Sequence, residues 1–208
     1  MPFNINKFGS GNMNFLINTF LWFATLITFI VVFVPFSPIM PTANLDPSWQ
    51  FGMNQAVAQG LSFGKDIIFT FGPYASIYTR MYHPATDFMM ISGSLYLAVS
   101  YWICFVILMK GVKWYWILAF CVFLVGFMYS RDTLLFSFPL LVGLASFKGM
   151  FLEDKILAKN KLAPFYVTLL FAPFGLLPLV KGTAFILCSA IAILSTVLFI
   201  VNRRRFLA

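Results

Sequence analysis

Apolar residues run along the chain in six blocks, at about 15–35, 88–109, 114–129, 134–147, 162–180 and 183–201, with short polar or basic clusters between them. A helix needs about 20 apolar residues to cross the hydrocarbon of a bilayer, so the first, second, fifth and sixth blocks have the length of a span. The third and fourth are shorter. They suit a tight helical hairpin closed at Ser130-Arg131-Asp132-Thr133, or a locally thinned bilayer. Pro139, Pro173 and Pro178 fall inside the fourth and fifth blocks and are expected to kink or break those helices, because proline lacks a backbone donor and crowds the preceding turn. The first block exceeds the apolar core of about 7–15 residues found in a secretory signal, and Val34-Pro35-Phe36-Ser37-Pro38 is no small-residue cleavage site. It is expected to remain as a span. The pattern predicts an all-α, polytopic helical membrane bundle of about six transmembrane helices, forming a single membrane domain over 1–208.

One long polar interruption, 36–87, becomes a large extracytoplasmic loop in this scheme. It opens with Pro35, Pro38 and Pro41 and reaches Asp46-Pro47, a helix start in which the carboxylate caps free amides and proline takes the first helical position. Trp49, Met53, Val57 and Leu61 then recur every fourth residue, Gln50, Asn54 and Gln55 fall on other faces, and Gly60 is a stop. The spacing predicts an amphipathic helix of about 12 residues lying on the outer membrane surface. Residues 67–71, bracketed by Gly64 and Gly72-Pro73, read as a short extended piece with turns at both ends.

Composition agrees with a lipid solvent. Of 208 residues, 61% are hydrophobic and 10% charged, against roughly 25% charged in a soluble domain. The net charge of +8 is spread in short clusters between apolar blocks, not in a basic stripe, so nucleic acid is not expected as a partner. With the amino terminus inside, the cytoplasmic side holds ten of the 14 basic residues: Lys7, Lys110, Lys113, Lys148, Lys155, Lys159, Lys161, Arg203, Arg204 and Arg205. The other side holds Lys65, Arg80, Arg131 and Lys181. The inverted arrangement reverses the ratio, so the positive-inside rule predicts a multi-pass protein of the bacterial inner (plasma) membrane with both termini cytoplasmic. Cys104, Cys121 and Cys188 lie within apolar blocks at no metal-ligand spacing and read as small buried hydrophobes. Gly93, Ser94, Gly143 and Ala145 mark places for close helix approach.

Chemistry is concentrated on the external side, at Asp46, Lys65, Asp66, Arg80, His83, Asp87, Arg131, Asp132 and Lys181. Lys181 interrupts two apolar blocks, where a cation must be paired, hydrated in a cavity or snorkelling to the interface. Each group also has a structural reading. Asp46 is a capping residue, Lys65 and Asp66 form an exposed ion pair, and Arg131 and Asp132 pair at a hairpin tip. No Gly-rich phosphate loop, zinc motif or nucleophile elbow is present.

The string Leu45-Asp46-Pro47-Ser48-Trp49-Gln50, followed by Gln59-Gly60-Leu61-Ser62-Phe63-Gly64-Lys65-Asp66-Ile67-Ile68-Phe69-Thr70-Phe71-Gly72-Pro73, resembles the first external loop of bacterial membrane glycosyltransferases of the GT-C class. Leu179-Val180-Lys181-Gly182 is similar to a later element of such proteins. The resemblance implies transfer of a sugar from a polyprenyl-phosphate donor to an acceptor on the extracytoplasmic face. It assigns Asp46 as general base, since a carboxylate at the interface can take the acceptor's proton as the anomeric bond breaks. Lys181, Arg131, Lys65 and Arg80 become candidates for neutralising the donor phosphate. Many members carry a pair of acids in this loop, whereas Asp46 is followed by Pro47 and Ser48; this departure speaks against a divalent metal, and no other cofactor is implied. The family also has more spans than the six blocks here, so the chain reads as an amino-terminal module, a short relative or one subunit of an assembly. The alternative is a non-catalytic membrane subunit or lipid-carrier translocase partnering a fuller enzyme. In either case the expected partners are the bilayer, a polyprenyl-phosphate-linked sugar and another membrane protein.

Overall fold

Helices form where the apolar blocks predict them. The computed structural model describes residues 7–151 and 170–207, and within these the regular structure is all-α, with no β-sheet. In chain order the helices are α1 (Lys7–Phe33), α2 (Leu45–Ala58), α3 (Ala75–Thr79), α4 (Asp87–Met109), α5 (Trp114–Gly126, continued by a 3-10 turn Phe127–Tyr129), α6 (Arg131–Phe151), α7 (Pro173–Val180) and α8 (Ala184–Leu207). The segment 152–169 lies outside the described residues and carries Lys155, Lys159, Lys161 and the first part of the fifth block.

The packing order is α1 on α4, α4 on α6 and α6 on α8, with α5 against α1 and α7 against α8. Aromatic rings fill the middle. Phe29 of α1 meets Tyr101 and Phe105 of α4 at 5.4 and 5.3 Å between centroids, and Phe105 stacks on Phe120 of α5 at 4.5 Å. The Tyr101 hydroxyl pairs with Ser137 Oγ across the α4–α6 contact at 2.9 Å, which removes an unsatisfied polar group from an apolar core. Small residues set the close approaches. A Cβ at Gly93 would lie 2.3 Å from Ile77 Cδ1, and one at Gly143 would lie 3.0 Å from Ile191 Cγ2.

Two described segments, Asp87–Met109 and Ala184–Val201, are long and apolar enough to cross a membrane, while Thr19–Phe33 and Trp114–Tyr129 are apolar but shorter. The expectation of six spans is therefore met by two helices on this criterion. Helix α6 has 21 residues but opens on Arg131-Asp132 and carries Lys148 near its end, which dilutes its apolar length. Phe185, Ile186, Ile193 and Leu194 of α8 face outward and exposed, so this helix presents hydrocarbon that no described part of the chain covers.

Several local expectations are revised. The hairpin tip is a single residue, Ser130, and Arg131 and Asp132 already belong to the first turn of α6. The prolines act differently: Pro173 breaks the fifth block, since 170–171 are helical, Ala172 is a turn and α7 opens at Pro173, where its missing N–H is no loss, whereas α6 and α7 run on through Pro139 and Pro178. Helix α2 begins at Leu45 with Asn44 as the preceding cap, so Asp46 lies in the first turn and not at the cap. Its buried face carries Met53, Asn54 and Ala56. Asn54 is accommodated there because its Nδ2 donates to Met81 O at 3.0 Å. The 67–71 piece makes no strand; its ends form isolated bridges, Phe63 to Ile67 and Phe71 to Lys181.

Candidate functional site

The loop is fastened to the junction between α7 and α8. Gly72 N donates to Val180 O at 3.2 Å, Tyr74 N to Leu179 O at 3.0 Å, and Gly182 N to Thr70 O at 2.8 Å. The approach requires glycine, since a Cβ at position 72 would stand 2.3 Å from Leu179 O. This seam carries Phe71 to Lys181. The Lys181 ammonium lies 5.2 Å from the Phe71 ring, 4.9 Å from Tyr78 and 5.4 Å from Phe136, and 2.5 Å from Asp132 Oδ1. A carboxylate and three aromatic faces thus hold the cation that interrupts the two apolar blocks. Burial first, then the adjacent Asp132 carboxylate, raises the Tyr78 phenol above its ordinary value.

Next to this cage stand two arginines. Arg80 closes α3 in the left-handed region, at φ 55°, is only 8% exposed, and donates from Nη2 to Val32 O at 2.5 Å. It satisfies a carbonyl in the last turn of α1, an end that favours a cation. Burial pulls it below its ordinary value, though a guanidinium remains protonated in proteins. Arg131 donates from Nη1 to Tyr78 O and lies within electrostatic reach of Arg80. Both line a cavity of about 40 Å³ whose wall also includes Ser94, Leu97, Leu134 and Phe138. Like charges meet here at the amino terminus of α6, whose backbone dipole adds further positive potential.

The predicted site residues therefore divide. Lys181, Arg131 and Arg80 converge on one end of the bundle. Asp46 is exposed on α2 and accepts a hydrogen bond from Trp49 Nε1 at 3.3 Å. Trp49 stacks on Phe71 with centroids 5.0 Å apart, so Asp46 is linked to the lysine cage only through the Trp49 ring, on the Phe71 wall. Lys65 is exposed in the 62–67 turn and does not line the cavity. Asp66 does not form the expected pair with Lys65; its Oδ2 accepts from Ser62 N at 2.9 Å and closes the turn. Asp132 pairs across the bundle with Lys181 instead of with Arg131. His83 is buried. Its Nδ1 accepts from Ala85 N at 3.2 Å, which leaves Nε2 as the donor to Gln55 Oε1 at 3.1 Å, a packing role in the loop.

Sequence reasoning did not select Tyr78, Phe71, Phe136 or Ser94 as parts of this end. The aromatic residues are three among 27 Phe and 8 Tyr, and no local spacing distinguishes them. Ser94 carried a signal as a small residue beside Gly93, but for helix packing. Among the described residues no three His, Cys, Asp or Glu side chains converge as a metal site would require. Comparison of the chain with protein-family models, with curated proteins and with solved structures finds no match.

Proposed function

We propose that the chain is a multi-pass protein of the bacterial inner membrane, with about six membrane-crossing segments and cytoplasmic termini, and that it is a GT-C-type glycosyltransferase or the amino-terminal module of one. The two ends of the bundle support the orientation. At one end Lys148 Nζ caps α4 by donating to Leu108 O and Lys110 O, both at 2.8 Å. At the other, Arg80 of the loop and Arg131 line one cavity, and Lys181 pairs with Asp132 nearby. Lys110 and Lys113 stand at the same α4–α5 junction as Lys148, which supports reading the first end as the cytoplasmic side and the second as the extracytoplasmic one.

The observation that carries the catalytic reading is the convergence of three cations from distant parts of the chain under a loop that presents an exposed carboxylate. In the proposed reaction a polyprenyl-phosphate sugar brings its phosphate to Arg80 and Arg131, with Lys181 at the rim and Lys65 adding attraction from the loop. Asp46 takes the proton of the acceptor hydroxyl as the oxygen attacks the anomeric carbon. The bond to the phosphate breaks, and the departing phosphate keeps the electron pair, stabilised by the guanidinium groups. No metal is required in this scheme. Reconstituted in liposomes with a polyprenyl-phosphate sugar, the protein is expected to transfer sugar, and Asp46→Asn is expected to abolish transfer while the protein remains folded and inserted. Full activity in that variant removes Asp46 from the mechanism.

One observation favours a second reading, a non-catalytic subunit or lipid-carrier translocase partnering a fuller enzyme. The carboxylate adjoining the cations is Asp132, and it is held by Lys181, which suits binding without a nearby base. Binding of the lipid with no transfer, across several sugars, selects this reading over the first.

A further inference from the structure

Arg80 Nε and Ser94 Oγ are both buried polar atoms without a hydrogen-bond partner, and both residues line the cavity at the loop-covered end. Arg80 is 8% exposed and Ser94 1%. Buried donors are nearly always satisfied, because an unmet one forfeits its bond to water. A guanidinium can only donate, so the missing partner of Nε is an acceptor. The wall holds two guanidinium groups and no acid; the neighbouring Asp132 is turned to Lys181. A water molecule would satisfy Nε and Oγ but would leave the charges of two guanidinium groups, each felt by the other, uncompensated in a mostly apolar wall. An anion answers both needs.

We infer that this cavity binds one phosphate-class oxyanion through Arg80, Arg131 and Ser94. Its volume of about 40 Å³ is room for roughly three waters, the scale of a single tetrahedral oxyanion and too small for a sugar ring. Leu97, Leu134, Phe138, Leu177 and Val180 are among the apolar residues of the wall and suit an apolar substituent on the same anion. The Arg131 bond to Tyr78 O uses one of five guanidinium donors, and the amino terminus of α6 adds its dipole. The inference deepens the donor site proposed above and rests on that reading only for the identity of the lipid. If the two hold together, the phosphate enters the bundle and the sugar stays at the mouth, beneath the loop. Ser94 then becomes a binding residue in its own right.

The test uses the full chain and two probes. Inorganic phosphate is titrated into detergent-solubilised protein by calorimetry, and nanodiscs of phosphatidylcholine with or without phosphatidic acid are compared by native mass spectrometry. Saturable binding of inorganic phosphate identifies a free-anion site, and retention of phosphatidic acid without it identifies a lipid headgroup site; either supports the inference. Arg131→Gln is expected to weaken binding about tenfold or more, as loss of a charge-assisted bidentate partner does. That substitution also removes the bond to Tyr78 and can unfold the site, so the deciding variants are at Ser94. Ser94→Ala deletes a hydroxyl with no partner and is expected to weaken binding several-fold at an unchanged melting temperature. Ser94→Leu fills the cavity and is expected to abolish binding. Neither probe binding, or binding unaltered in folded Ser94→Leu, overturns the inference. Anion binding without sugar transfer leaves it standing and removes the transferase reading alone.

Discussion

Gly72→Ala tests whether the loop is truly seated on the α7–α8 junction. The added Cβ would lie 2.3 Å from Leu179 O, 2.9 Å from Leu179 C and 3.2 Å from Leu179 Cα. All three are backbone atoms, so no rotamer change relieves the clash. Ordinary contact begins near 3.4 Å, and the loop must retreat by about 1 Å, the difference from 2.3 Å. Such a retreat stretches the bonds from Gly72 N to Val180 O, now 3.2 Å, and from Tyr74 N to Leu179 O, now 3.0 Å, beyond useful length. Overpacking contributes about 1–3 kcal/mol and two neutral hydrogen bonds about 1 kcal/mol each, for a loss of roughly 3–5 kcal/mol in all. Gly93→Ala is the control. Its Cβ meets Ile77 Cδ1 at 2.3 Å and Cγ1 at 2.9 Å, side-chain atoms that can turn away, so about 1 kcal/mol is expected. Thermal unfolding in detergent, followed by tryptophan fluorescence, compares the two with the parent. A melting temperature for Gly72→Ala equal to or above that of Gly93→Ala refutes the seating of the loop.

Two further substitutions probe the same end. Asn54→Ala strips the Met81 carbonyl of its donor and is expected to destabilise the loop by about 1–3 kcal/mol, read as faster limited proteolysis of 36–87; unchanged proteolysis counts against a structural role for that bond. A double-mutant cycle of Lys181→Met and Asp132→Asn is expected to give a coupling of about 1 kcal/mol, since Lys181 is 14% exposed but Asp132 51%. Additive effects within ~0.3 kcal/mol would show that the aromatic rings, and not the carboxylate, hold the lysine.

The helices were legible where one solvent property governs a long block. The run at 88–109 corresponds to α4, Asp87–Met109, because almost every residue in it is apolar and the polar flanks mark its ends. The start of α6 was not legible. Arg131 and Asp132 are polar and look like a turn, yet they are helical because each finds a partner outside its own helix, Tyr78 O and Lys181. The same limit hid the site. Position along the chain singled out Lys181 as a cation needing compensation, but its compensators lie at Phe71, Tyr78, Asp132 and Phe136, which no local spacing connects. Asn54 lies on the buried face of α2, against the four-residue spacing, because periodicity counts polarity and cannot see the carbonyl that satisfies it.

The seam between Thr70 or Gly72 and residues 179–182 has a consequence for biogenesis. Its two sides are separated by about 110 residues, from 70 to 182, and translation at about 5–20 residues per second leaves the loop without its partners for roughly 5–20 s. Until α7 and α8 have emerged, Phe71 has no lysine to cover and the arginine cavity lacks Leu177 and Val180 from its wall. The loop-covered end is therefore late to mature, and a nascent chain arrested between α6 and α7 would carry Arg80 and Arg131 without the chamber that gives them a purpose.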